Sequence, residues 1–131
     1  MGEGAPTGRL EATITRRILA VVPELMAAVR IEEAAKRLGA DFAAIESRAE
    51  LDALLPLADV LIIDLGVEDI AVPDAVRDAR SHGVEVIAFG PHVDAGRLRA
   101  ARAAGVRRLY TRGKFLRELS RVLAEALAAR G

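Results

Sequence analysis

The side chains with chemical capacity in this sequence stand where its apolar runs stop. Asp64 closes Asp59-Val60-Leu61-Ile62-Ile63-Asp64, Glu24 follows the run Arg17 to Val22 and Pro23, and Arg112 follows Val106 to Tyr110. Asp64 reads as an ordinary strand-terminal acid, with Arg112 as its expected partner. Glu24 reads as a first-turn helix acid, favoured by the helix dipole. Gly90-Pro91-His92 before a helix could offer backbone N–H groups to an anion, although Pro91 removes one donor. His92 has general-base or ligand chemistry but no partner at motif spacing, and reads as a loop histidine. His82, just before Gly83, sits well at a helix C-terminus on its own account. No Gly-x-Gly-x-x-Gly, Gly-x4-Gly-Lys-Ser/Thr or Gly-x-Ser-x-Gly is present, so the common nucleotide and hydrolase fingerprints are absent. The four aromatics are Phe42, Phe89, Tyr110 and Phe115. The three phenylalanines fall on expected core positions, which leaves little for base stacking and argues against single-stranded nucleic acid.

These residues are positioned by a regular alternation of elements. Arg17 to Val22 reads as a buried strand, and Pro23 suits the first turn of the helix that follows. That helix is expected to present Leu25, Val29, Ala34 or Ala35, and Leu38 on one face and to stop at Gly39. Asp41 to Glu46 is a weaker second strand. Ser47-Arg48-Ala49-Glu50 has capping-box spacing before a helix of Leu51, Leu54 and Leu55 that breaks near Pro56. The run from Asp59 to Asp64 is the clearest strand, apolar throughout as a strand covered on both faces must be. Pro73 opens a helix through Arg80, closed by Ser81-His82-Gly83. Val84 to Phe89 is a strand, Asp94 caps a helix ending at Gly105, and Val106 to Tyr110 is the last strand. One final helix is expected over Lys114 to Ala129, with Phe115, Leu119, Val122, Leu123, Ala126 and Leu127 inward. Strand and helix thus alternate five times. The expected fold is α/β, a single doubly wound five-stranded parallel sheet of order 2-1-3-4-5 between two helix layers, flavodoxin-like. Residues 1–14, with Gly2, Gly4, Pro6 and Gly8, read as a flexible arm before a single domain over residues 15–131.

Composition narrows the class. A length of 131 residues, 52% of them apolar, suits one folded domain and argues against disorder. Without cysteine there is no disulfide, thiolate metal site or cysteine nucleophile. No apolar run approaches the ~20 residues of a membrane span, and the N-terminus lacks a secretory pattern, so a cytoplasmic location is expected. The net charge of zero hides an asymmetry. Residues 1–94 carry 17 acids and 9 bases, net −8, while residues 95–131 carry 10 bases and 2 acids, net +8. Such a split reads either as solvated faces with internal pairing or as a basic surface for an acidic partner.

In a sheet of this kind the working crevice lies beyond the carboxyl ends of the strands. At that point the sequence resembles the receiver (CheY-like) domain of bacterial two-component response regulators, over about residues 16–128. The resemblance rests on the strand order, on Asp59-Val60-Leu61-Ile62-Ile63-Asp64-Leu65-Gly66, on Ala103-Ala104-Gly105-Val106, and on the loop ending in Phe115. It implies that Asp64 holds the phosphoacceptor position. The family's acidic pair for Mg²⁺ is replaced by Val22 and Pro23, with Glu24 the one acid nearby. Glu24 and Asp64 are therefore the only metal ligands the resemblance offers, and Mg²⁺ is expected only if Asp64 is phosphorylated. Gly90 holds the family's Ser/Thr position and Arg112 its lysine position. Phosphoryl transfer to a carboxylate depends on positioning and charge neutralisation, and Mg²⁺ supplies much of the latter.

The expectation is thus a pseudo-receiver, not an enzyme. It would be a stand-alone signalling module acting by protein–protein contact through the fourth helix, fifth strand and fifth helix. Arg102, Arg108, Lys114, Arg117 and Arg121 are its expected contact residues. An acidic protein or a second copy is the expected partner, with no cofactor, no membrane and no nucleic acid. The alternatives are an atypical receiver phosphorylated on Asp64 in a phosphorelay, and a small-ligand-binding flavodoxin-like domain.

Overall fold

The computed structural model of the chain describes residues 15–90 and 94–130. The arm reading for residues 1–14 and the loop positions Pro91 and His92 lie outside the described residues. Five strands, β1 (Arg17–Val21), β2 (Asp41–Ala44), β3 (Val60–Asp64), β4 (Glu85–Gly90) and β5 (Arg108–Thr111), form one sheet. All pairings are parallel and the order is β2-β1-β3-β4-β5, as the alternation of elements predicts. The helices are α1 (Leu25–Arg37), α2 (Arg48–Leu54), α3 (Val72–Ser81), α4 (Ala95–Ala104), α5 (Arg112–Arg117) and α6 (Leu119–Arg130), with a 3₁₀ turn over Leu55–Leu57.

Side chains alternate across a strand, so each apolar run feeds two cores. Leu19, Val21, Leu61, Ile63, Val86 and Ala88 point to one face, where Leu51 of α2, Val76 of α3 and Ala101 of α4 cover them. Ile18, Ala20, Val60, Ile62, Ile87 and Phe89 point to the other, covered by Ile31 of α1, Phe115 of α5 and Val122 of α6. Phe89 and Phe115 stack with ring centroids 4.7 Å apart. A strand that is apolar at every position is the sequence's statement that both faces are covered.

Three local expectations are corrected. Helix α1 does not bury the face of Leu25 and Val29. It buries Ala27, Ile31, Ala34 and Ala35, and leaves Leu25 72% and Val29 38% exposed. The alanines let α1 approach the sheet and α6 closely, so small residues rather than large ones mark its inner face. Pro23 stands before the cap, not in the first turn, because Glu24 is the N-cap residue. The last helix is not continuous: it is interrupted at Glu118, and at the break the Leu116 carbonyl accepts a hydrogen bond from Arg30 Nη2 at 2.8 Å.

Most of the expected caps form. Ser47 Oγ accepts the Glu50 N–H at 3.1 Å, but the Glu50 carboxylate reaches past the cap to the Glu46 N–H, at 2.7 Å. Asp94 Oδ1 accepts the Arg97 N–H at 3.0 Å. Helix α4 ends at Gly105, whose φ of 115° is open to glycine at little cost. Arg16 Nη1 donates to the Leu127 carbonyl at 2.7 Å, tying the start of the first strand to the last turns of α6.

Candidate functional site

The parallel sheet brings the carboxyl ends of β1, β3, β4 and β5 to one side. There a cleft of about 320 Å³ is lined by Pro23, Glu24, Asp64, Gly66, Phe89, Gly90 and Arg112. Four residues singled out from the sequence, Glu24, Asp64, Gly90 and Arg112, therefore meet at one place.

Their pairing differs from expectation. Arg112 does not meet Asp64; its Nη2 donates to Glu24 Oε1. Glu24 is also the N-cap of α1, with Oε2 accepting the Met26 N–H at 3.0 Å and Oε1 accepting the Ala27 N–H at 3.1 Å. The Arg112 hydrogen bond is the main cause holding the Glu24 carboxyl below its ordinary range. Desolvation opposes it, and the Ala27 and Met26 N–H groups reinforce it. Asp64 is half-buried and turns back on its own loop, Oδ1 accepting the Gly66 N–H at 2.8 Å. Such an Asx contact is what aspartate does at a turn without any ligand.

Do these residues fit Mg²⁺? Both Glu24 oxygens already face N–H donors, one of them a guanidinium. Val22, at the position where the family resemblance would put an acid, is buried in the core with 7% exposure. Among the described residues no group of three His, Cys, Asp or Glu side chains could hold a metal. A hard divalent cation needs oxygen ligands free to coordinate it, and the arrangement around Glu24 does not provide them. Gly90 is held small for a packing reason as well: a Cβ there would stand 3.0 Å from Leu65 Cβ. Leu65 is pinned against this strand, its N–H donating to the Phe89 carbonyl at 2.8 Å.

The contact residues expected from charge do not behave alike. Arg108 Nε donates to Glu85 Oε2 at 2.8 Å, and its Nη1 lies 3.7 Å from Glu125. Glu85 is 7% exposed, so this pair secures the lower end of the β4–β5 edge. Arg121 is bound to both Glu118 and Glu125. Arg102, Lys114 and Arg117 are exposed and form no ion pair within 4 Å among the described residues. Arg117 and Arg121 line a groove against α1, together with Arg30 and Arg37, rather than joining Arg102 on α4.

Sequence reasoning missed one residue near the cleft. Arg97, in the first turn of α4, donates from Nη1 to the Leu65 carbonyl at 2.6 Å and pairs with Asp94 at 3.1 Å. It closes over an apolar pocket of about 240 Å³ that Ile70, Val72 and Ala101 also line. The acceptor is a backbone carbonyl, which leaves no side-chain signal to find.

No helix among the described residues is long and apolar enough to cross a membrane. No protein-family model matches the chain, and no curated protein matches it. Solved structures do. A CheY-like protein (TadZ) from Pseudomonas aeruginosa PAO1 is 25% identical, covering 86% of this chain and 99% of its own, with a TM-score of 0.68. The signal receiver domain of an HD domain-containing protein from Pseudomonas fluorescens Pf-5 is 16% identical, covering 88% and 97%, with a TM-score of 0.76. A CheY-like response regulator receiver domain protein from Methanospirillum hungatei JF-1 is 15% identical, covering 88% and 96%, with a TM-score of 0.75. Sheet order, flanking helices and these likenesses agree: the chain has the response-regulator receiver (CheY-like) fold.

Proposed function

We propose that this chain is a pseudo-receiver, a non-enzymatic signalling module that works by protein contact without phosphorylation of Asp64. One observation carries the reading. The carboxylate nearest to the family's metal position, Glu24, is engaged by Arg112 and by the first N–H groups of α1. A guanidinium there neutralises the acid permanently, so the cleft holds one electrostatic state instead of waiting for a cation and a phosphoryl group. Gly90 adds to this, since it offers no hydroxyl to a phosphoryl oxygen. No cofactor is required.

The partner is a protein, and the side formed by α4, β5, α5 and α6 is the contact surface, with exposed Arg102 and Lys114 available to an acidic surface or to the acidic part of a second copy. The test is intact mass after incubation with Mg²⁺ and acetyl phosphate, run beside Asp64→Asn. Unchanged mass in both proteins supports the pseudo-receiver. A phosphate-sized gain that Asp64→Asn lacks would instead establish an atypical phosphoacceptor.

A further inference from the structure

The break in the last helix builds a second surface, away from the cleft. Between α1 and the α5–α6 junction runs a groove of about 440 Å³. Its walls carry Arg30 and Arg37 from one side and Arg117 and Arg121 from the other, with Glu33 and Glu118 between them. Four guanidiniums against two carboxylates leave a net positive groove. Two of the four are already committed: Arg30 donates to the Leu116 carbonyl at 2.8 Å, and Arg121 is held by Glu118 and Glu125. Arg37 and Arg117 make no ion pair within 4 Å among the described residues. The Arg117 guanidinium lies over Gly113, where a Cβ would come within 3.1 Å of its Nη1, so the missing side chain makes room for it.

We infer that this groove binds an acidic peptide segment of a partner protein, two of whose carboxylates pair with Arg37 and Arg117. The inference rests on the reading of the chain as a protein-binding module and adds a surface and a partner chemistry to it. Guanidinium forks match carboxylates in paired hydrogen bonds, and Arg37 and Arg117 have theirs free of ion pairs among the described residues. The lining has no aromatic ring on which a base could stack, and Glu33 interrupts the run of positive charge that a continuous phosphate backbone would track. A peptide can instead offer a backbone N–H or a basic side chain to Glu33. A second copy of this chain is a poorer occupant, because many of its own acids are already paired: Asp52 and Asp78 with Arg48, Asp74 with Arg77, and Asp41 with Arg17.

The experiment uses the full chain and a fluorescein-labelled octaglutamate peptide, read by anisotropy at low ionic strength. The proteins compared are the wild type, Arg37→Glu/Arg117→Glu, the milder Arg37→Gln/Arg117→Gln, and Arg77→Glu/Arg80→Glu on α3, on the opposite face of the sheet, as the comparison surface. All the substituted side chains are exposed, and circular dichroism verifies that each variant is folded. The expected result is binding by the wild type, a loss of about tenfold or more in the first variant, an intermediate loss in the second and little change in the α3 variant. Any of three results would overturn the proposal: no binding by the wild type, a loss in the α3 variant that equals or exceeds the groove variant's, or tighter binding of a labelled DNA oligonucleotide than of the peptide. Self-association that the groove substitutions abolish would likewise overturn it, assigning the surface to a second copy. None of these outcomes bears on the Asp64 mass test, so the two readings fail separately.

Discussion

Glu24 does three things with one carboxylate: it caps α1, pairs with Arg112 across the sheet, and walls the cleft. Removing the side chain in Glu24→Ala ends all three, and urea unfolding is expected to show a lowered midpoint. Glu24→Gln keeps an acceptor for the backbone N–H groups but loses the charge. Because the folded carboxyl titrates below its ordinary range, the pair contributes stability above that range. The contribution is lost as pH falls through the folded value. The stability gap between wild type and Glu24→Gln should therefore be present at neutral pH and shrink as pH drops below about 4. A gap that stays constant through acid would show that the ion pair contributes nothing. Gly90 is the other residue with a decisive geometry. Restoring a hydroxyl by Gly90→Ser drives a Cβ to 3.0 Å from Leu65 Cβ. Overpacking of that sort is expected to lower stability by about 1–3 kcal/mol, measured by the same unfolding curves.

At the scale of elements, α1 carries large apolar residues on the outside as well as the inside. Leu25 and Met26 are 72% and 66% exposed, whereas Ile31 is fully buried. Ile31→Ala should cost about 2–5 kcal/mol, while Leu25→Ala should stay within about 0.5 kcal/mol of wild type. Equal effects would mean that the helix is rotated from the orientation described. The α5–α6 break is the element that separates this chain's C-terminal region from a simple amphipathic helix. It turns Arg117 and Arg121 toward α1 and gives the Leu116 carbonyl to Arg30. On the β4–β5 edge, Glu85 accepts from both Arg107 and Arg108 and is itself nearly buried. Glu85→Ala strands Arg108 beside Glu125 alone, and thermal unfolding should register the loss of the pair as a lowered midpoint.

Over the whole molecule, the +8 excess of residues 95–131 does not become one basic face. Arg97, Arg108, Arg112 and Arg121 are each tied to an acid of the same chain. Their charge is spent on joining α4 to its own start, β5 to β4, β5's end to α1, and α6 to its own first turn. What remains exposed and without an ion pair among the described residues is divided between Arg99 and Arg102 on α4, Lys114 on α5 and Arg117 in the groove. The two cores share one set of strands, so neither layer can dissolve without exposing the sheet's other face. Urea unfolding should then show one transition, with far-ultraviolet circular dichroism and the fluorescence of Tyr110 coinciding. Tyr110 is a fitting probe, being the sole tyrosine and tilted against Phe115 at 6.3 Å. Separate midpoints would show the two layers unfolding independently.

The sequence by itself determined the strands, their order and the cleft. Short uniform apolar runs rich in β-branched residues, such as Val60 to Ile63 between Asp59 and Asp64, suit strands covered on both sides. Their alternation with helices leaves few sheet orders once crossovers are right-handed. Strand ends then placed Glu24, Asp64, Gly90 and Arg112 near one another without any contact being known. Only the tertiary structure decided which of them touch. An arginine reaches several neighbours from one Cα, so Arg112 could be matched to Asp64 on charge alone, and the fold gave it Glu24. The same holds where the partner is a backbone carbonyl, as for Arg97 on Leu65 and Arg30 on Leu116, since every residue carries that acceptor and none advertises it. The inward face of α1 was hidden for a related reason. Periodicity gives an apolar stripe, but the depth to which a helix sinks onto a sheet depends on its neighbours, and here close packing selected alanines over leucines.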